Sequence, residues 1–375
     1  MRYRFMFMLL LFFGLSAYIG WHGAILLDAL GLAAVKPLLA ACFVVLTFAY
    51  LLGRLRILPR PLRLALKLIG SYYFAVFEFA VILLPVADIA GALLAWSGVG
   101  SAVYVPLLGV IVVAILAALL LRGSYNAWTP IVRRYPVDID KDAGGLSGLR
   151  IAVASDIHLG DIVENRYLNR LVDEIGKLEP DLVLFAGDVL DDAVEPFLRK
   201  NMADVLKRLK ARYGVYAVLG NHEYYGGGIE AYVNRMREIG IPVLRDETVI
   251  VEGKFAVAGR KDKAAESMDP DGRLAVDELL AQVDSRLPII LLDHQPHHLE
   301  RAEAAGADIM LSGHTHRGQF MPNHLITRRL FELDWGYKRK GRMHAIVSSG
   351  YGTWGPPIRI GSRSEIVEVV VTFTP

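Results

Sequence analysis

A single cysteine, Cys42, stands in 375 residues. One thiol excludes an internal disulfide framework and any thiolate metal cluster, so a metal held by this chain takes nitrogen and oxygen ligands. Also missing are a phosphate-cradling P-loop, the signature of a Ser- or Cys-centred triad, a zinc-finger spacing, and any internal repeat or low-complexity tract. Strong net charge is absent too, because 41 Lys and Arg face 39 Asp and Glu. Acidic residues are scarce only at the front: residues 1–134 hold three against 11 basic ones, and the remainder holds 36 against 30. With 54% hydrophobic residues and a mean hydropathy of +0.37, the chain is too apolar for an ordinary soluble enzyme and is neither disordered nor collagenous.

The apolar excess lies in four stretches, residues 5–21, 38–52, 68–96 and 103–121. Crossing a hydrocarbon core of ~30 Å takes ~20 helical residues, so residues 1–134 are expected to form an all-α transmembrane region of about four helices. Arg2 and Arg4 before the first stretch resemble the start of a signal peptide, but no small-residue cleavage pattern is convincing and further spans follow. Arg54, Arg56, Arg60, Arg63 and Lys67 gather between the second and third stretches, and residues 97–102 carry no basic residue. The positive-inside rule then places the basic loop, the N-terminus and the segment with Arg122, Arg133 and Arg134 on the cytoplasmic side of a multi-pass inner-membrane protein. Glu78 and Asp88 lie inside the third stretch, where a carboxylate is a candidate for proton or headgroup chemistry. A protonated or water-facing side chain in a helix bundle is the plainer account, and for Asp88, beyond Pro85, the stronger one.

After a linker at 135–148, residues 149–375 alternate short β-rich runs with amphipathic helical stretches, the pattern of an α/β domain. The ends of successive strand candidates deliver Asp156 and His158, then Asp188 and Asp191, then Asn221, His222 and Glu223, then His294, then His314 and His316. Open α/β sheets form their sites just past the carboxyl ends of strands. A buried unpaired polar group costs ~1–3 kcal/mol, so five strand ends furnished in this way are hard to attribute to packing. Carboxylate and imidazole donors suit Mn, Fe or Zn, and there are enough for two ions sharing one carboxylate. Two ions ~3.5–4 Å apart polarise a phosphoryl oxygen and activate water, which points to phosphoester hydrolysis.

Ser155-Asp156-Ile157-His158, Gly187-Asp188-Val189-Leu190-Asp191, Gly220-Asn221-His222-Glu223, His294 and Gly313-His314-Thr315-His316 resemble, in order, the five motif blocks of the calcineurin-like metallophosphoesterases. The resemblance implies a four-layer α/β/β/α sandwich over 149–375 and a dinuclear centre. One ion would take Asp156, His158, Asp188 and His316, and the other Asp188, Asn221, His294 and His314, with Mn²⁺ first and Zn²⁺ or Fe as alternatives. His222 resembles the family's proton donor to the leaving oxygen, and Asp191 its carboxylate partner; such a carboxylate fixes the tautomer and supports the imidazolium. Glu223 fits a local capping group at least as well as a chemical one.

Leu292-Asp293-His294-Gln295-Pro296, Gly318-Gln319 and the run from Ser349 to Arg359 resemble a membrane-associated subgroup that includes the UDP-2,3-diacylglucosamine pyrophosphatase of chlamydial lipid A synthesis. Arg317 stands where that subgroup usually has glycine. Arg317 and Arg359 are candidate substrate-phosphate contacts, each weighed against a surface role. Between Phe320 and Arg342, basic residues interleave with aromatics, which suits an anionic membrane surface in preference to nucleic acid. The expectation is a membrane-anchored hydrolase of a phosphodiester or pyrophosphate bond in a lipid-linked substrate, with membrane lipids as partners. The alternatives are a tethered enzyme of a soluble nucleotide-like phosphodiester or phosphomonoester, and a non-catalytic membrane sensor or scaffold.

Overall fold

The computed structural model describes residues 2–55 and 57–374, so Arg56 of the basic loop lies outside the described residues. The chain forms two units, residues 1–125 with 355–358, and residues 126–354 with 359–375.

The first unit is built on helices α1 (Arg2–Ala29), α2 (Lys36–Leu52), α3 (Arg60–Trp96) and α4 (Ser101–Trp128). All four supply spans long and apolar enough to cross a membrane. The second stretch, only 15 residues by composition, gains a 3₁₀ turn at Ala33–Val35 and gives a span of 20 residues. Helix α3 has 37 residues, about 55 Å at ~1.5 Å per residue, so Arg60, Arg63 and Lys67 sit on an extension beyond its apolar run. Close packing of α2 on α3 depends on Gly70, where a Cβ would lie 2.3 Å from the Tyr50 backbone nitrogen. Asp88 accepts a hydrogen bond from Tyr18 (2.5 Å) and lies 3.4 Å from His22 Nε2. Partners on α1 thus satisfy this intramembrane carboxylate.

The second unit holds twelve strands: β1 (Ile131–Ile139), β2 (Gly148–Ala154), β3 (Leu182–Ala186), β4 (Val215–Val218), β5 (Val243–Leu244), β6 (Glu247–Val251), β7 (Phe255–Gly259), β8 (Ile289–Leu292), β9 (Ile309–Ser312), β10 (Gly336–Lys340), β11 (Met343–Val347) and β12 (Glu365–Phe373). They form two six-stranded sheets, ordered β1-β12-β2-β3-β4-β5 and β10-β11-β9-β8-β7-β6. The layering follows from side-chain alternation along strands that are apolar on both faces. Leu182, Leu184, Ile290 and Leu292 enter the core between the sheets. Val183 and Phe185 face outward onto helix α5 (Asn165–Lys177), which returns Leu168, Leu171, Val172 and Ile175 at helical spacing. On the far side Ile289 and Leu291 pack with Leu279 and Leu299 of the helices covering the second sheet. The result is the expected α/β/β/α sandwich.

Residues 131–139, read from the sequence as the end of the helical region and the start of a linker, form an edge strand parallel to β12. Arg133, Arg134 and Pro136 concealed it. Arg133 Nε donates to Glu365 (2.6 Å) and Arg134 Nε to Glu368 (2.7 Å), both carboxylates being buried, and Pro136 is tolerated at an edge. The stretch 195–212, which reads as one helix, is two short ones, Glu195–Arg199 and Met202–Leu206, with Asn201 left-handed between them.

Glu365 also accepts from the Trp335 indole (3.1 Å) and the Ser349 amide (2.7 Å). Glu365→Ala should therefore destabilise the second unit by about 1–3 kcal/mol, since it leaves the Ser349 amide and the Trp335 indole without their acceptor. The check is the thermal midpoint of detergent-purified protein, and an unchanged midpoint would refute the role.

Candidate metal centre

β2, β3 and β4 run parallel, as do β8 and β9. Their carboxyl ends deliver Asp156 and His158, Asp188, Asn221 and His222, His294, and His314 and His316 into one place. Gly220 is required there, because a Cβ on it would lie 2.1 Å from Asp188 Oδ1. Asp156, His158, Asp188, His314 and His316 all adopt positive φ, between 48° and 70°. Each such non-glycine residue costs on the order of 1–3 kcal/mol and persists only where the surroundings over-determine it, as functional sites do.

The potential ligating atoms form three groups, one of them His158, Asp191 and His222. In the other two, Asp156, His158 and His316 lie within 4.8 Å of one another, as do Asp188, His294 and His314. In the first, His158 Nε2 is 3.1 Å from His316 Nε2, and His316 Nε2 is 3.4 Å from Asp156. In the second, Asn221 Oδ1 lies 2.8 Å from His314 Nδ1, and His294 Nε2 is 3.1 Å from Asp188 Oδ2. Backbone amides fix the carboxylates: His314 N donates to Asp156 and His222 N to Asp188, both at 2.9 Å.

Burial pushes Asp156 up to about 6 and pushes His158 and His314 down to about 3, with His316 also well below its usual range. Burial also works against ionisation of Asp188 and His294, but their mutual attraction prevails, holding Asp188 far below and His294 far above their ordinary values.

Divalent cations fit this donor set. His294 Nδ1 donates to the Ala186 carbonyl (2.8 Å), so a neutral ring turns the lone pair of Nε2 onto the Asp188 carboxylate. That contact needs a proton or a cation between the two atoms. His294 Nε2 is buried and has no hydrogen-bond partner. Nitrogen and oxygen donors of these kinds suit first-row divalent ions.

His222 takes a different carboxylate from the one its motif suggests. Its Nδ1 is 2.7 Å from Asp192 Oδ1, whereas Asp191 Oδ1 lies 3.8 Å from His158 Nδ1. The chain turns left-handed at Asp192 (φ 55°), which brings the second acid of the Asp191-Asp192 doublet to the imidazole. That doublet was the only sign of it in the sequence. Burial would lower the His222 pKa, but the Asp192 hydrogen bond and the charge of Asp188 lift it to about 9. Glu223 accepts from the Leu190 and Gly220 amides, both at 2.7 Å; it fastens two site loops together, and burial with the nearby Asp188 charge raises it to about 8.

Neither arginine expected at the substrate stands free. Arg359 is fully buried; its guanidinium donates to the Gly350 and Gly352 carbonyls and lies 3.3 Å from His316 Nδ1. It braces a ligand from behind, because the loop carrying it folds inward. The Arg317 guanidinium stacks on Trp335, 3.9 Å from the ring centroid, while Arg133 lies 4.7 Å from the same ring. Aromatic rings frame the centre: Trp354 is 6.2 Å from His222 and Phe331 5.8 Å from His314.

Residues 149–318 match the profile of the calcineurin-like phosphoesterases. The chain is 34% identical to a Danio rerio transmembrane protein with metallophosphoesterase domain over 273 residues, 70% of this chain and 62% of that protein. It is 34% identical to an uncharacterized metallophosphoesterase of Helicobacter pylori over 65% of each chain. A third, from Aquifex aeolicus, is 34% identical over 64% of this chain and 91% of its own length. The chain thus spans slightly under two thirds of the first two relatives.

Metal-stripped protein reloaded with Mn²⁺ should carry about two ions by elemental analysis, and Asp188→Asn at most one. Equal metal content in the two proteins would remove Asp188 from the ligand set.

Proposed function

The chain belongs to the calcineurin-like phosphoesterase family, and from that membership we propose that it hydrolyses a phosphodiester or pyrophosphate bond of a lipid-linked substrate at a membrane surface. Asp156, His158, Asp188 and His316 would hold one divalent ion and Asp188, Asn221, His294 and His314 the other. The convergent groups Asp156-His158-His316 and Asp188-His294-His314 support this division. Bound ions would supply Lewis-acid polarisation of a phosphoryl oxygen and acidify water. His222, protonated at neutral pH, donates a proton to the departing oxygen. Asp192 holds its Nδ1–H and so presents Nε2 to the substrate.

The observation that favours a lipid-linked substrate is an exposed apolar rim. Met321, Leu325, Ile326, Leu330 and Trp354 are 52–67% exposed, beside Phe331 and the His222 ring already described. Leu325, Ile326 and Leu330 share the short helix His324–Leu330 with exposed Arg328 and Arg329, a mixture suited to acyl chains under anionic headgroups. Four apolar helices in the same chain keep such a substrate at high local concentration. A cytoplasmic orientation draws on Arg54, Arg60, Arg63 and Lys67; Arg133 and Arg134 serve the sheet. The likeness to the lipid A pyrophosphatase subgroup supports the pyrophosphate option.

Asp188→Ala should abolish turnover with the fold retained, and His222→Asn should lower kcat by ~10²–10⁴. Asp192→Asn should cost at least tenfold more than Asp191→Asn; the reverse order would return the dyad to Asp191. The substrate is sought by mass spectrometry of a native lipid extract incubated with Mn²⁺-loaded protein, with Asp188→Ala as the blank. Loss of a phosphorylated or nucleotide-linked lipid only with active protein is expected. An unchanged extract alongside cleavage of bis(p-nitrophenyl) phosphate would point to a soluble substrate.

A further inference from the structure

A basic cavity of about 360 Å³ opens at the carboxyl ends of β7 and β8, on the sheet edge that also carries His294. We propose that it is a subsite for a second anionic group of the substrate, of phosphate or carboxylate type. The assignment builds on the hydrolase reading above.

Its floor is an unequal ion cluster. The Asp293 side chain, 2% exposed, meets both Arg260 Nη1 (3.0 Å) and Arg273 Nη2. Two guanidinium groups on one carboxylate leave a positive charge in excess at the floor. Arg273 is 4% exposed, and its buried Nε has no hydrogen-bond partner. A buried donor left in this way costs ~1–3 kcal/mol, which an oxygen of a ligand would recover. The other acid near Arg273 is Glu266, 3.9 Å away and 56% exposed, a pairing too loose and too wet to neutralise it.

Lys263 and Arg301 line the cavity from exposed positions, and among the described residues their side chains make no ion pair. Glu266 and Asp277 are the remaining wall carboxylates, both exposed. Four cations therefore surround a space whose one buried acid is already doubly paired. A guanidinium fork at the base with flexible cations at the mouth suits a phosphate or carboxylate, and the volume lies within the ~300–1,000 Å³ of small-molecule sites.

The cavity adjoins the reacting centre. Asp293 directly precedes His294, and the His297 ring on the cavity wall lies 4.9 Å from Phe331, which lies 5.8 Å from His314. The rings of His297 and Phe331 thus stand between the cavity and the candidate ligand His314. That separation fits a substrate carrying its second anionic group on a sugar or similar spacer.

The first arm of the test uses the detergent-purified full chain, stripped of metal and titrated with sodium sulfate at constant ionic strength while the thermal midpoint is followed. A saturable rise is expected in wild type and in Asp188→Asn. It should need at least tenfold more sulfate in Arg273→Gln and in the double variant Lys263→Gln/Arg301→Gln, whose exposed positions leave the Asp293 cluster intact. Absence of saturation in wild type, or identical curves in all variants, overturns the site.

The second arm uses metal-loaded protein and p-nitrophenyl thymidine 5′-phosphate without and with a 3′-phosphate. Wild type should show a KM at least tenfold lower for the 3′-phosphorylated ester, and the double variant should lose that preference. Equal KM values in wild type would mean that the cavity takes free anions only, and would overturn the assignment to substrate. If neither ester is cleaved and the lipid extract is unchanged as well, the hydrolase reading fails, and with it the substrate assignment, while the sulfate arm still decides whether the cavity binds anions.

Discussion

A buried carboxylate that must stay ionised governs the architecture around the centre. Asp188 is almost wholly enclosed, and charge in such a place survives only if the surroundings are arranged to hold it. The arrangement is complete here. The His222 amide donates to one oxygen, His294 stands against the other, and Gly220 gives up its side chain to let Asp188 in. The same negative charge drives Glu223 toward its neutral form and helps lift His222. Five ligand candidates hold left-handed backbone to reach this point. Local strain of that order is sustained by the layered apolar cores beneath it, not by the site itself.

Those cores also explain why the centre lies where it does. Both sheets end their parallel strands at the same edge, so loops from two sheets can meet at one site. Glu365 extends the scheme outward. It binds Arg133 of β1, the Ser349 amide and the indole of Trp335, and Trp335 in turn carries Arg317 on its face. An arginine next to the second histidine of the His-x-His pair is thereby held in place by an aromatic ring instead of pointing freely into solvent.

Around the centre the surface is divided by chemistry. Apolar side chains and Trp354 stand exposed on the rim, while the cavity beyond His297 is walled by cations. In the helical unit, the half-exposed Asp88 accepts a hydrogen bond from Tyr18 and has His22 nearby.

Much of this was legible from residue order, because the signals were local. Long apolar runs need only length to imply membrane-crossing helices, and fully apolar strands ending in Asp, His or Asn need only adjacency to imply a centre at strand ends. The strand ends bring Asp156, His158, Asp188, His294, His314 and His316 within reach of one another. Strand β1 escaped notice because Arg133 and Arg134 read as solvated charge until Glu365 and Glu368, more than 230 residues later, provide buried partners. The choice of Asp192 over Asp191 turned on one left-handed residue, which no spacing rule encodes. Arg359 looked like a phosphate contact, but its loop folds it behind His316, and the basic cavity draws its cations from segments spread between Arg260 and Arg301. Sequence alone therefore determined which chemical groups are present and at which strand ends. Tertiary structure decided which of them touch, since pairing between distant charges depends on burial and chain direction that local order does not contain.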